Sequence, residues 1–347
     1  MEQVLLALDE VTRGYGDTRI YYCRLAVAAL DGDRCALAGT VLDEDTLRGV
    51  IAGLRARLPG SDFDVSRVRS LKAGATQAVV AANLTGLYAA SSFLAEQISQ
   101  LLNGSPVEML LEEGRWRFVR QADGYLGWAY GPYLAEVAVP AATHLVCEPV
   151  SVLRAEPVSD AAPLNRVLGG TAVAADVYGE WARVTLAGDR AAPLRPRLDG
   201  WSPAADLRPL AALPADEAGR RAQIVADAAR FTGVPYLWGG CSAFGIDCSG
   251  YAQLLHRLAG VIIPRDADMQ FDAGQPVSRP FQPGDLLFFG EGAAEARKIT
   301  HVAVSLGGWR ILHSSRSRNG VQEDDVQAVE HLRESFVGAR TFVADDR

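Results

Sequence analysis

A glycine-rich run that must give way to an apolar helix fixes one point of this fold. Residues 239–260 read GGCSAFGIDCSGYAQLLHRLAG. Glycines crowd the first half. After Asp247 the apolar residues Tyr251, Leu254, Leu255 and Leu258 recur at helical spacing until Gly260 stops them. Asp247 has the short acceptor side chain of a helix N-cap, which puts Cys248 in the first turn. Unpaired N–H groups and the positive end of the helix dipole favour a thiolate there, and the thiolate is the nucleophilic form of cysteine. A small buried cysteine suits the same place. The two readings part on whether a base comes within reach.

Two histidines answer that question. His301 lies in ITHVAVSLG (299–307), an apolar strand after a charged loop, and His313 lies in WRILHSS (309–315), the next strand. A cysteine nucleophile needs an imidazole beside the sulfur and a third polar group to orient it. Paired strands would set His313 behind His301. His256, two turns into the helix after Cys248, reads as a solvated or capping residue; His144 and His331 have no evident partner. One cysteine and two histidines are zinc-ligand types, but no carboxylate or further cysteine stands at metal spacing, so neither a metal nor another cofactor is expected.

The other cysteines, Cys23, Cys35, Cys147 and Cys241, make an odd, scattered total of five, which is no disulfide framework. Cys241 reads as a small loop residue, with a redox pairing to Cys248 as the alternative. A net charge of -8 argues against nucleic acid or an anionic membrane as the main partner. No apolar run of about 18 residues occurs, so no membrane span is expected. The opening MEQVLLALDEVTRGYG has early acids and no basic region. It does not read as a secretory signal, and the expectation is a cytoplasmic protein, with the cell envelope as the alternative.

Length allows several domains: the chain has 347 residues. RIYYCRLAVAAL (19–30) and DRCALAGTV (33–41) read as strands across the Asp31-Gly32 turn, DEDTLRGVIAGLRARLPG (43–60) as a helix capped by Asp43 or Asp45, and FDVSRVRSL (63–71) as a third strand. This α/β unit, 1–72, resembles the small BON-type modules. An internal repeat follows. Trp116, Val119 and Gly127-Trp128 answer to Trp181, Val184 and Gly200-Trp201. Short alternating strands with glycine-rich turns mean small β-barrels, in which Trp116 and Trp181 read as core. APLRPR (192–197) reads as a loop inserted in the second copy. Asp216 can cap a helix that opens the last domain, with Ile224, Val225, Ala228 and Phe231 on its buried side.

VPYLWGG (234–240), GIDCSG (245–250), IPRDADMQ (263–270), QPGDLLFF (282–289), THVAVSLG (300–307) and ILHSS (311–315) occur in the order and spacing of the NlpC/P60 cysteine peptidases. Residues 214–345 thus resemble that family of papain-like hydrolases of peptidoglycan peptides. The resemblance implies Cys248 as nucleophile, His301 as general base and His313 as orienting residue. It also implies that Tyr236 hydrogen-bonds near the cysteine and helps fix substrate. The two repeat copies resemble the bacterial SH3-like domains that precede such peptidases. The fold class expected is therefore α+β and multidomain: a small N-terminal unit (1–72), two SH3-like barrels (73–140 and 141–212) and a papain-like catalytic domain (213–347).

LAEQISQLLNG (94–104) and DGYLGW (123–128) resemble the arrangement in the family's γ-D-glutamyl-L-diamino acid endopeptidases. There the first SH3-like domain lies over the active site, and a Glu and a Tyr bind the substrate's free N-terminal amine. By position these are Glu96 and Tyr125, with Tyr130 and Tyr133 as alternatives to the latter. Asp247, one residue before the nucleophile, would add a second carboxylate to that clamp, and Ser249 completes the implied substrate-binding set. In the reaction expected, Cys248 and His301 work as an ion pair, and N–H groups at the helix start, including that of Cys248, meet the oxyanion. The bond cleaved would join γ-D-Glu to Lys or diaminopimelate in free stem peptides, during recycling. The alternatives are an autolysin that uses the barrels as wall anchors and a non-enzymatic binding module. The intact Cys/His/His set argues against the last.

Overall fold

Helix α1 (Glu2–Arg13) buries Val4, Ala7, Leu8 and Val11, a single stripe at helical spacing. It packs with helix α2 (Glu44–Arg57) on a three-stranded sheet in the order β1 (Cys23–Asp31), β2 (Arg34–Val41), β3 (Asp62–Ser70). The Asp31-Gly32 turn makes β1 and β2 antiparallel, and the α2 crossover returns β3 parallel to β2. Of the two expected caps of α2 the structure uses Asp43, which accepts from the Thr46 amide at 2.9 Å. The computed structural model describes residues 1–188, 197–292 and 298–343.

The chain divides into two compact units, Met1–Ala78 with Val107–Trp128, and Val79–Pro106 with Ala129–Arg347. The division does not fall at residue 72. Within the first unit, Leu42 and Leu71 share a buried cluster with Leu110, Phe118 and Leu126, and Trp128 packs against it. Trp116 opens the strand Trp116–Gln121 and is only half-buried, so the core of this copy rests on Phe118 and Val119.

The second unit contains a seven-stranded antiparallel sheet built from residues 144–209. Its core holds Val146, Leu153, Val167, Val173, Ala182, Val184 and Leu186. Trp181 again opens a strand, half-buried, and Val184, three residues on, is 1% exposed. Val184 pairs with Gly200, where a Cβ would lie 2.5 Å from Leu153 Cγ. The repeated Trp-x-x-Val thus marks a strand start and its core position rather than a core tryptophan. Of the expected 192–197 loop, residues 192–196 lie outside the described residues, and Arg197 begins the strand Arg197–Pro203.

The C-terminal part of this unit opens with helix α3 (Glu217–Ala228), capped by Asp216, which accepts from the Gly219 amide at 2.7 Å. Helices α4 (Cys248–Leu258) and α5 (Ala267–Ala273) follow. Strands β4 (Gln275–Val277), β5 (Leu286–Glu291), β6 (Lys298–Gly307), β7 (Arg310–Ser315), β8 (Gly320–Asp325) and β9 (Phe336–Thr341) form a six-stranded sheet in the order β4-β9-β5-β6-β7-β8, entered at β9 through helix α6 (Glu330–Ser335). One face of that sheet buries α4 and α3 around Ile224, Phe231, Tyr251, Leu255, Phe288, Val302 and Val304.

That burial corrects the reading of His256, which is fully buried rather than solvated. Its Nδ1 lies 2.8 Å from the Ala252 carbonyl and donates to it, and Nε2 has no partner among the described residues. Phe342 closes over the ring edge-on. Burial pushes its pKa down to about 4. A folded-state pKa below the unfolded value of about 6.5 contributes stability above pH ~6.5, and that stability is lost as pH falls toward 4. Denaturant unfolding at pH 7 and at pH 4 should show the wild type losing roughly 3 kcal/mol more than His256→Phe. Equal losses would mean the imidazole titrates normally.

Candidate active site

The turn that delivers the cysteine is pinned by close backbone contacts. A short hairpin pairs Cys241–Ser242 with Gly245–Ile246. Gly239 has φ +72°, and a Cβ there would lie 2.3 Å from the Gln97 carbonyl. The chain then reaches Asp247, the N-cap of α4, whose Oδ1 accepts from the Gly250 amide at 2.7 Å. Cys248 is therefore the first residue of α4, 8% exposed, as the capping pattern implied.

Asp247 is occupied by its own fold. Arg265, 1% exposed, grips it from both sides, with Nη1 3.1 Å from Oδ1 and Nη2 2.7 Å from Oδ2. Oδ2 also takes the Gly239 amide and Oδ1 the Ser249 hydroxyl. Arg265 itself is tied to Ser99 and Ser249; burial pulls its pKa down, but the charge and bond of Asp247 together with Cys241 and Asp266 leave it raised. A carboxylate with this many donors and a buried guanidinium opposite it has little left for an ammonium. The geometry thus gives Asp247 a positioning role in place of the expected amine contact. It brings Ser249 and Arg265 to the foot of the helix, and Arg265 was absent from the sequence expectation.

Strand β6 carries His301 and β7 carries His313, and the antiparallel β6–β7 pairing sets the two rings on one face. His301 Nε2 lies 2.7 Å from His313 Nδ1. The chain of contacts continues: His313 Nε2 lies 3.1 Å from Asp324 Oδ2 on β8, and Arg318 holds the other oxygen at 2.8 Å. Burial would raise the Asp324 carboxyl, but the bonds from Arg318 and His313 outweigh it and hold its pKa below the ordinary value. An ionised carboxylate only accepts, so His313 must donate from Nε2. Its Nδ1 then accepts from His301 Nε2–H, and His301 keeps a lone pair on Nδ1. This is the tautomer a base toward a thiol requires. The Cys248 sulfur takes the Val302 amide, which seats it beside the His301 strand.

The protonation states differ from the expected ion pair. Burial, with Asp247 next to it, pushes the Cys248 thiol up to about 12. Burial and the neighbouring His313 pull His301 down to about 3. Both directions favour a neutral thiol and a neutral imidazole. At the sulfur, desolvation outweighs the bonds from the Val302 and Ser249 amides.

Around this centre, Ser314 Oγ donates to the Ile246 carbonyl at 2.7 Å, and Tyr236 bridges to Ile246. Tyr236 is half-buried, and burial together with Cys248 and Asp247 pushes its hydroxyl up to about 12. Two residues on, the Trp238 indole N–H donates to Glu96 Oε1 at 2.7 Å, and Gln97 Nε2 donates to the Trp238 carbonyl. Glu96 is exposed. Gly233 and Val234 bond to both backbone groups of Val321 in β8, and a Cβ on Gly320 would lie 2.5 Å from the Val234 carbonyl. Tyr125 belongs to the first unit and is 3% exposed, whereas Tyr130 and Tyr133 share the cysteine's unit and stack with each other.

Residues 233–344 match the model of the NlpC/P60 family. Dipeptidyl-peptidase 6 of Lysinibacillus sphaericus is 31% identical over 261 residues, which cover 70% of this chain and 89% of that one. Gamma-D-glutamyl-L-lysine dipeptidyl-peptidases of Bacillus cereus and Bacillus subtilis are 34% and 41% identical over 114 and 109 residues. Those matches cover 33% and 30% of this chain, which spans only 34% and 35% of their lengths. The crystal structure of an NlpC/P60 family protein from Bacillus cereus aligns with a TM-score of 0.66 and 22% identity over 77% of this chain and 100% of that one, a likeness of fold.

Proposed function

This chain belongs to the NlpC/P60 family of cysteine peptidases, and from that footing we propose that it hydrolyses the bond between γ-D-Glu and an L-diamino acid in peptidoglycan stem peptides whose N-terminal L-Ala is free. The observation that carries the reading is the exposed Glu96 carboxylate, held by the indole of Trp238 in the segment that leads into Asp247 and Cys248. The relatives named for γ-D-glutamyl-L-lysine cleavage support it. The strand-rich modules before the catalytic domain are read as SH3-like domains, and recycling of released peptides as the setting.

Each step uses a group already described. Cys248 Sγ attacks the γ-carbonyl of D-Glu as His301 Nδ1 takes the thiol proton. Amide N–H groups at the start of α4 meet the developing oxyanion. The C–N bond breaks, and the proton on His301 passes to the departing α-amine. A water, deprotonated by His301, then cleaves the thioester and releases L-Ala-γ-D-Glu. Through both halves His313 and Asp324 keep His301 in the tautomer that presents Nδ1.

A paired assay tests the amine requirement: L-Ala-γ-D-Glu-L-Lys against its N-acetyl form, with products identified by mass. The free peptide should be cleaved between Glu and Lys, and the acetylated one should be refused. Glu96→Gln should lower kcat/KM on the free peptide by about 10- to 100-fold, the value of one charge-assisted hydrogen bond. It should scarcely change residual action on the acetylated one. Equal turnover of both peptides by the wild type would instead make this a hydrolase of intact peptidoglycan.

A further inference from the structure

Three arginines lie near the proposed reaction centre, and two are committed. Arg265 is buried against Asp247, and Arg318 is paired with Asp324. The third, Arg316, is exposed and has no acidic partner within ion-pair distance among the described residues. Its guanidinium lies over two rings, 5.3 Å from the centre of Trp238 and 5.7 Å from that of Tyr236. Both rings belong to the segment that leads into Cys248, and Arg316 follows the β7 strand end that Ser314 ties to Ile246. Aromatic faces hold a guanidinium in place without consuming its five N–H donors. One bond goes to the Tyr236 side chain, and the donors that remain on this preoriented guanidinium, with no carboxylate opposite it among the described residues, suit a planar anion.

We propose that Arg316 receives a carboxylate of the substrate. The assignment rests on the peptidase reading above, and it sharpens the substrate class from any free-amine peptide to an anionic one. Linkage through the γ-carboxyl leaves the α-carboxylate of D-Glu free. If the third residue is diaminopimelate, its side chain carries another. With Glu96 at the N–H edge of the same Trp238 indole, the site would present one cation and one anion to a zwitterionic ligand. Peptides that lack either charge would lose a partner for one of them.

The test compares wild type, Arg316→Gln and Arg316→Lys on three tripeptides, each with the C-terminal α-carboxyl amidated: L-Ala-γ-D-Glu-L-Lys, the same with D-isoglutamine in place of D-Glu, and L-Ala-γ-D-Glu-meso-diaminopimelate. Arg316→Gln should lose about 10- to 100-fold in kcat/KM where the bound carboxylate is present and little where it is not. Lysine should fall between, since it keeps the charge and loses the fork. Sparing of the isoglutamine peptide assigns the D-Glu α-carboxylate; a loss confined to the diaminopimelate peptide assigns the side-chain carboxylate. Equal losses on all three would overturn the proposal, because stacking on Trp238 and Tyr236 serves every substrate alike. No wild-type turnover of any peptide would be a failure of the peptidase reading instead. Calorimetric titration of Cys248→Ala protein, with and without Arg316→Gln, needs no turnover and decides the point separately. Peptide affinity that Arg316→Gln leaves unchanged rejects the assignment.

Discussion

Cys248→Ala should abolish hydrolysis of L-Ala-γ-D-Glu-L-Lys, with a loss on the order of 10⁴-fold or more, while the melting temperature stays close to that of the wild type. The side chain removed is small and sits at the first position of α4, where the cap is made by Asp247 and not by the sulfur. Loss of function without loss of fold is therefore the expected signature. Alkylation adds a reading of the protonation state. With the thiol pushed up to about 12 by burial and His301 pulled down to about 3, labelling of Cys248 by iodoacetamide should climb through the neutral and alkaline range. A preformed ion pair would give a rate already flat near pH 5. Appreciable turnover by the alanine variant would remove the cysteine-peptidase mechanism.

His301→Ala should be nearly as damaging, since nucleophile and base act as a unit. His313→Ala and Asp324→Asn should retain more, in that order or close to it, with losses of roughly 10²- to 10⁴-fold. The asparagine variant is the more informative. Its amide can donate to His313 Nε2, which would invert the hydrogen-bond direction and leave His301 with its proton on the wrong nitrogen. The defect should therefore appear in kcat, with KM little changed. A fall in KM-dependent binding with kcat intact would mean that Asp324 only braces the edge of the sheet. A larger loss for His256→Ala than for His301→Ala would undo the assignment of the pair, and nothing in the burial of His256 against Phe342 suggests it.

Local chemistry made much of this readable from the sequence. Asp247 before an apolar, helix-spaced run could only be a cap, so Cys248 had to start the helix. The strand character of 299–307 and 309–315 put both histidines on neighbouring strands, and the observed register sets them on one face. Asp324 was not readable. It stands in VQEDDVQ among three consecutive acids, and only the register, which pairs His313 with Gln322 and Ile311 with Asp324, selects which one lies diagonal to the imidazole. Arg265 escaped for the same reason: it is 18 residues from Asp247 and reaches it through a loop rather than a periodic element. His256 looked solvated because polar side chains on a helix usually are, whereas α4 is covered nearly all round. Helix α1 carried a clear apolar stripe, Val4, Ala7, Leu8 and Val11, in a stretch weighed only as a targeting signal, which its early acids argued against.

The backbone bonds from Gly233 and Val234 to Val321 join two functions to one structural member. Strand β8 holds Asp324 at the far end of the proton path, and the segment it binds runs on to Tyr236 and Trp238, which on the proposed reading form the entrance. A shift of the entrance would therefore pull on the strand that sets the tautomer of His301, and slippage of that strand would displace the entrance. On the proposed reading, acceptance of a ligand and readiness of the base would be geared together through this edge. Gly320 is the pivot of that gearing, because any side chain there would press on the Val234 carbonyl and force the two apart.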